Sequence, residues 1–427
     1  MGHKTAAQRR LQRSQLSSQS QQHDSPIVQP SKLLSLSPEI LAKIIRFACS
    51  HDHRRLLHYN SAHQCDILLW TLVHPSITCM TISIIWRQVF VASTAQAVWL
   101  DSILGSEGNN GRIANSILFI TVRRIGLGNL RPSMVSQELV NKIAQRCINL
   151  KRLVAPIINF KSTIRTTPFL ANLKSLSITN FGSRTRNNNL PIAYTLASLS
   201  ALTHLDIDAD IQVDFVGVPN PNFSLSSLVW AASPSVTRLD WVLQNSSRSL
   251  RTLALWQCPK LADLSKLFDN YGGGLVSLSL RVAQNLSRED LVNLDLGERC
   301  SSLREVIIST WPLPSFLESL PMSIQHIAFR PLENMELWWS YDIDEWIRKH
   351  SSLRVLSLTG YHIRRLEDIS EEEPSHLAKQ LEVVKRWYSA CAECGIDSRS
   401  HTSDHWPWAD ALDGNFESPV HIDTRFR

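Results

Sequence analysis

Apolar residues along this chain fall in short clusters, and two periods organise them. Ile40, Leu41, Ile44, Phe47 and Ala48 recur at helical spacing, which predicts a helix with one wide apolar stripe. Ser37 can cap it, and Pro38 suits the first helical position, where an N–H would lack an intrahelical partner anyway. Glu39 then lies near the positive end of the helix dipole. A polar, His-rich stretch from Cys49 to Cys65 separates this helix from a second apolar block at 66–91. Within that block Ile67 to Trp86 is twenty residues without formal charge, the length a membrane span needs. His74-Pro75 in its middle favours two short buried helices instead, because Pro disfavours helical backbone in the residue before it.

From about residue 105 the texture changes to short apolar clusters separated by turn residues. The pattern Leu-x-x-Leu-x-(Leu/Ile) begins at Leu173, Leu202, Leu250, Leu275, Leu291 and Leu353. Looser copies begin at Leu150, Val236, Leu303 and Ile324. Chance gives about one or two strict matches at this leucine content. The Leu291 copy crowds the next and reads as helical. The other nine, most of them 21–34 residues apart, each predict one short strand. Its i, i+3 and i+5 positions would bury against the next turn of a solenoid. An ordinary α/β domain with leucine-rich strands is the alternative.

In a solenoid the residues between the buried leucines face outward. Those positions are His204, Asp206 and Asp208, then Arg238 and Asp240, then Trp256, Arg281, Glu305 and Arg330. Most need be polar only because they are wet. Trp and Arg are the usual anchors of protein interfaces, so Trp256 and Arg281 lead the candidate target-binding set.

The N-terminal clusters resemble an F-box, the short helical motif of ubiquitin-ligase substrate receptors. Leu36-Ser37-Pro38-Glu39-Ile40-Leu41-Ala42-Lys43-Ile44-Ile45 is similar to the family's Leu-Pro-Pro-Glu-Ile-Leu-x-x-Ile-Phe, with Ser37 and Ile45 as departures. Asp66-Ile67-Leu68-Leu69-Trp70-Thr71-Leu72-Val73 matches its Asp-Leu-Leu-x-Leu-x-Leu-Val. Ile84-Ile85-Trp86-Arg87 stands in place of Leu-Leu-Trp-Arg. The resemblance covers 34–90, and leucine-rich repeats commonly follow the motif in fungal members. It implies docking onto the Skp-family adaptor and, through it, a cullin. Leu36, Pro38, Ile40, Leu41, Ile44, Leu72, Val73 and Trp86 would form the adaptor contact. About fifty residues are few to bury all their own apolar surface, so an exposed patch would want a partner helix.

The expected architecture is therefore α/β, a short helical F-box followed by an irregular leucine-rich-repeat solenoid. Residues 1–33 form a Gln/Ser-rich tail, 34–104 the F-box-like domain with an insertion at 49–65, 105–366 the repeats, and 367–427 an acidic linker, C-terminal helix and tail. The expected function is target recognition for an SCF-type ligase, without catalysis. The rival is a free-standing leucine-rich scaffold with no ligase role.

Charge and cysteines narrow the partners. The net charge is +6, but Lys4, Arg9, Arg10, Arg13 and Lys32 against Asp24 place +4 within residues 1–33, leaving +2 for the rest. A nucleic-acid partner is not expected from so even a balance, nor a membrane from the reading of Ile67 to Trp86. The eight cysteines are scattered and follow no secretory signal, so they read as reduced thiols in cytoplasm or nucleus. Cys391-x-x-Cys394 with His401 and His405 leaves six residues between the pairs, where a zinc finger needs about twelve. Gly395 instead suits the end of an amphipathic helix bearing Leu377, Leu381, Val384 and Tyr388. The ligand-dense insertion at 49–65 has no recognised metal spacing, and no phosphate loop or hydrolase motif occurs, so no metal or cofactor is expected.

Overall fold

The computed structural model describes Ser37, Ile40 and residues 86–401, apart from 92, 107–109, 123–134, 157–167, 180–189, 209–216, 231–234, 256–258, 282–286, 310–312, 330–340 and 360–374. The chain divides into two units, Met1–Ile85 and Trp86–Arg427. In the first, Ser37 lies outside a helix and Ile40 within one, its side chain 47% exposed.

The second unit is α/β, built on one twelve-stranded sheet whose strands follow chain order and pair in parallel throughout. Its first five strands are β1 (Gln88–Val91), β2 (Phe119–Val122), β3 (Arg152–Pro156), β4 (Ser175–Thr179) and β5 (His204–Asp208). Next come β6 (Ser227–Trp230), β7 (Thr252–Leu255), β8 (Ser277–Leu280) and β9 (Glu305–Ile308). The last are β10 (His326–Phe329), β11 (Val355–Thr359) and β12 (Asp397–His401). Strand then helix, repeated in chain order, is compatible with a solenoid-like repeat. The sheet begins before residue 105 and ends after 366, so it is wider at both ends than the interval expected for the repeats.

Register explains why these segments are strands. Gln88, Phe119, Arg152, Ser175, His204 and Ser227 are successive cross-strand neighbours, and the same row continues through Thr252, Ser277, Glu305, His326, Val355 and Asp397. Constant register stacks each leucine of a repeat on its counterpart in the next. One file runs Val89, Ile120, Leu153, Leu176, Leu205, Leu228, Leu253, Leu278, Val306, Ile327 and Leu356, all buried in a single core. Each fully buried side chain of this kind contributes roughly 1.5–3 kcal/mol.

Eight of the nine expected strand copies are strands. The Val236 copy is a helix, and four strands were not expected: β1, β2, β6 and β12. Helix α6 (Val236–Leu243) buries Leu239, Val242 and Leu243. An i, i+3 apolar pair fits either structure, and burial at i+6 and i+7 marks the helix. The true strand beside it, β6, carries the repeat as Leu225, Leu228 and Trp230, all buried, with an aromatic side chain where the pattern asks for Leu or Ile. Residues 117, 120 and 122 do the same for β2 with Ile, Ile and Val.

Five helices precede α6 in the described chain: α1 (Thr94–Gly105), α2 (Asn110–Ser116), α3 (Gln137–Arg146), α4 (Pro168–Asn172) and α5 (Leu190–Ala197). After it come α7 (Leu261–Tyr271), α8 (Arg288–Val292), α9 (Leu296–Arg299), α10 (Pro314–Glu318), α11 (Ile343–Lys349) and α12 (Ser375–Glu393). Leu291 lies in α8, as its crowding implied. Side chains at the turns tie one repeat to the next. Asn149 Nδ2 donates to Asn115 O, Asn172 Nδ2 to Ile148 O and Ser302 Oγ to Gly273 O, each at 3.0 Å.

Within the C-terminal segment, helix α12 and strand β12 belong to the fold. Helix α12 buries Val384 and Trp387, and Trp387 meets Phe329 of β10 edge to face with ring centres 6.3 Å apart. Gly395 ends this helix at φ +67°, with Ile396 N donating to Cys391 O at 2.8 Å, a turn that carbon-bearing side chains resist. Cys391 is buried in the helix, and burial pushes its thiol up to about 12.

Two packing details have measurable consequences. A Cβ on Gly272 would lie 2.6 Å from Arg299 O, whereas one on Gly273 meets nothing within 4 Å. Gly272→Ala is expected to cost roughly 1–3 kcal/mol in denaturant unfolding, and Gly273→Ala about 0.5 kcal/mol or less. His350 stacks on Trp346, its Nδ1–H donating to Trp346 O at 2.9 Å, and burial holds its pKa below the ordinary 6.5. The unfolded chain then binds the extra proton, so this contribution is complete above pH 6.5 and is lost as pH falls through the folded value. Thermal melts from about pH 7.5 to 5.5 should show the midpoint dropping, with a flatter profile for His350→Gln.

Candidate functional site

On each strand, alternate residues turn away from the leucine core and form two rows across the sheet. From β3 to β6 these rows are half-open. Arg152, Val154, His204, Asp206, Ser227 and Val229 are half-buried, with Ser175 and Ser177 as the sunken floor between them. Ser177 Oγ donates to Asp206 Oδ2 at 2.7 Å, and His204 Nδ1 lies 2.8 Å from Thr203 Oγ1. Burial, and then the positive charge of Arg152, hold His204 below its ordinary pKa, so it is neutral at pH 7.

From β8 to β11 the same face is closed. Ser277 Oγ donates to Glu305 Oε2, Glu305 Oε1 lies 2.8 Å from His326 Nδ1, and His326 Nε2 lies 3.0 Å from Ser357 Oγ. These four residues are all buried and connect strands β8, β9, β10 and β11. His326 Nδ1–H donates to the carboxylate, which accepts only, and Nε2 and the Ser357 hydroxyl share the second bond.

Ser357, His326 and Glu305 have the connectivity of a hydrolytic triad. Ser357 is 0% exposed, and β11 is hydrogen-bonded into the sheet by both neighbours, β10 and β12. Among the described residues, the Ser357 hydroxyl is therefore shut off from solvent. What the chain of bonds does is hold four strands in one register, since a slipped strand would strand buried polar groups.

The sequence-derived site residues therefore separate. His204, Asp206 and Arg281 lie on or just beyond the outward face, Arg281 exposed with its N–H donating to Leu255 O at 2.8 Å. Glu305 is a correction: it was expected to meet solvent and is 8% exposed, held by Ser277 and His326. Arg238 and Asp240 are a second correction. They lie on helix α6, not on a strand, and Asp240 pairs with Lys266 of α7 at 3.4 Å. The side chains of Asp208, Trp256 and Arg330 lie outside the described residues.

Of the expected adaptor contact, Leu36, Pro38, Leu41, Ile44, Leu72 and Val73 also lie outside the described residues, and Ile40 is exposed. Trp86 takes an unexpected place. It begins the second unit, at the position matching Ile117 and Leu150 in the next two repeats. There it is half-buried against the core and stacks on Trp99 of α1 with ring centres 6.1 Å apart. The pattern could have shown this, because Trp86, Val89 and Val91 have the i, i+3, i+5 spacing of a repeat.

Among the described residues no group of three or more His, Cys, Asp or Glu could hold a metal ion, and no helix is long and apolar enough to cross a membrane. Compared with protein-family models and with curated proteins, the chain matches none.

The buried polar chain generates a double-mutant test. His326→Ala leaves Glu305 and Ser357 facing a void and is expected to cost about 2–4 kcal/mol in denaturant unfolding. Replacing Glu305 and His326 together by Leu should cost clearly less than the sum of the two single replacements. Additive losses would show that the pair is not coupled.

Proposed function

We propose that this chain is the substrate-recognition subunit of a cullin-based, SCF-type ubiquitin ligase. In this reading the F-box-like segment docks on the Skp-family adaptor, while the leucine-rich repeats bind a target protein. The observation that carries it is a regular parallel sheet of twelve strands in chain order whose first strand, Gln88–Val91, overlaps the end of the F-box-like stretch 34–90. A stacked array offers a long face of outward side chains on a rigid base, a surface suited to protein partners. The half-open stretch from β3 to β6 is a part of that face whose side chains are half-exposed and could meet a target. Ubiquitin transfer would belong to other subunits.

Trp86 is better assigned to the first repeat than to the adaptor contact, since it continues the file of core residues. The adaptor contact then rests on Leu36, Pro38, Ile40, Leu41, Ile44, Leu72 and Val73. Purified Skp-family adaptor should capture the wild-type chain. A Leu41→Asp, Ile44→Asp double variant should lose capture while keeping the thermal melt of its repeat unit. Equal capture of both, or of neither, favours the free-standing scaffold.

A further inference from the structure

The residue just before each strand occupies an equivalent place in all twelve repeats, and a backbone ladder fixes it there. Lys151 N donates to Leu118 O, Lys174 N to Lys151 O and Thr203 N to Lys174 O, all at 2.8–2.9 Å, and the ladder continues to Arg354 N on Gln325 O, with Arg354 O in turn accepting from Asp397 N. These twelve positions hold Arg87, Lys151, Lys174, Arg251, Arg304 and Arg354, and no acidic residue. With 44 Lys and Arg in 427 residues, about one cation would be expected among twelve positions. All six are exposed.

None of the six has a carboxylate within ion-pair distance among the described residues. Of the cations on or beside the helices, Lys142, Arg146, Lys266, Arg299, Arg348 and Lys349 are each paired with Asp or Glu, while Lys260 and Lys385 have no carboxylate within ion-pair distance among the described residues. Two of the six are instead fixed in place. Arg251 Nη1 donates to Gly274 O at 2.7 Å, and the Arg87 guanidinium lies 5.6 Å from the centre of the Phe119 ring.

Strands lie about 4.8 Å apart, so ten steps from β1 to β11 make a single file of cations about 48 Å long. Helix C-termini such as that of α3 immediately precede the strands, and their negative ends make unpaired cations tolerable along this rim. We infer that this rim is a docking surface for an extended, acid-rich polypeptide segment. The width of the file favours a polypeptide over nucleic acid. A duplex presents two phosphate strands, and single strands are held by base stacking on exposed rings. The residues just before the file, such as Leu150, Leu173, Leu250, Leu303 and Leu353, are buried leucines.

This inference rests on the reading of the repeats as a target-binding region and names the chemistry of the target. The full chain is titrated by fluorescence anisotropy into a labelled Glu/Ser-rich peptide of about 14 residues, long enough to span the file when extended. Binding is expected and should weaken as salt rises from about 0.05 to 0.3 M. Lys151→Glu with Lys174→Glu, and Arg304→Glu with Arg354→Glu, should each weaken it about tenfold or more. Lys266→Glu, on the helix side, should leave it unchanged. Gln replacements at the same four positions, checked by thermal melt, serve if a reversal does not fold.

Absence of binding overturns the inference. So does unchanged affinity in the variants accompanied by lower melting, which would make the file only a counter-charge for helix ends. Tighter binding of a single- or double-stranded oligonucleotide through the same residues overturns it as well. Adaptor capture is measured separately on the wild-type chain, so loss of the ligase reading and loss of peptide binding are told apart.

Discussion

A single repeat of this chain cannot bury its own apolar face. A strand of four or five residues and the residue two places before it together carry three large apolar side chains on one side, and only the neighbouring repeats can keep them from water. Everything else in the second unit follows from that dependence. The strands must be parallel, because each chain segment returns through a helix or loop to start beside the last. The register must be constant, because a one-residue slip would turn the leucines to the opposite face. In a solenoid of this kind stability would be largely a sum of similar nearest-neighbour terms along one continuous core.

Such an array has to end. On the C-terminal side the last strand among the described residues, β12, is Asp-Ser-Arg-Ser-His, a polar sequence that discourages further strand pairing. Helix α12 packs beside it and supplies Trp387 to the Phe329 ring, so the last apolar layer is finished with aromatics. On the N-terminal side Trp86 and Trp99 play the comparable role for the first repeat. These aromatic pairs lie where aliphatic stacking runs out.

The outward face follows the opposite logic, since its side chains are not needed for stacking. Part of it has nevertheless been given to stability. Between β8 and β11 a carboxylate, an imidazole and two hydroxyls satisfy one another in a closed, buried chain. Polar groups buried in this way tolerate few alternative registers, which ties these four strands to one another. In the function proposed above, recognition would fall to the half-open stretch around His204 and Asp206 and to the cation file along the rim. Both surfaces are held by strands that the leucines have already positioned.

The i, i+3, i+5 leucine spacing by itself was enough to place eight strands and to indicate that they stack, because burial of aliphatic side chains is a property of composition and period. It did not find β6 or β2, where Trp230 or a set of Ile and Val fills the same space, and it mistook α6 for a strand because an i, i+3 pair suits both. The candidate face was legible only in part. Alternation says which residues leave the core, and so it selected His204, Asp206 and Arg281. Whether a residue that leaves the core meets water depends on what lies beyond it and beside it, and this is why Glu305 proved buried between Ser277 and His326. The cation file was hidden for a related reason. Its members are 23 to 77 residues apart in the chain and become neighbours only when parallel register brings equivalent positions together.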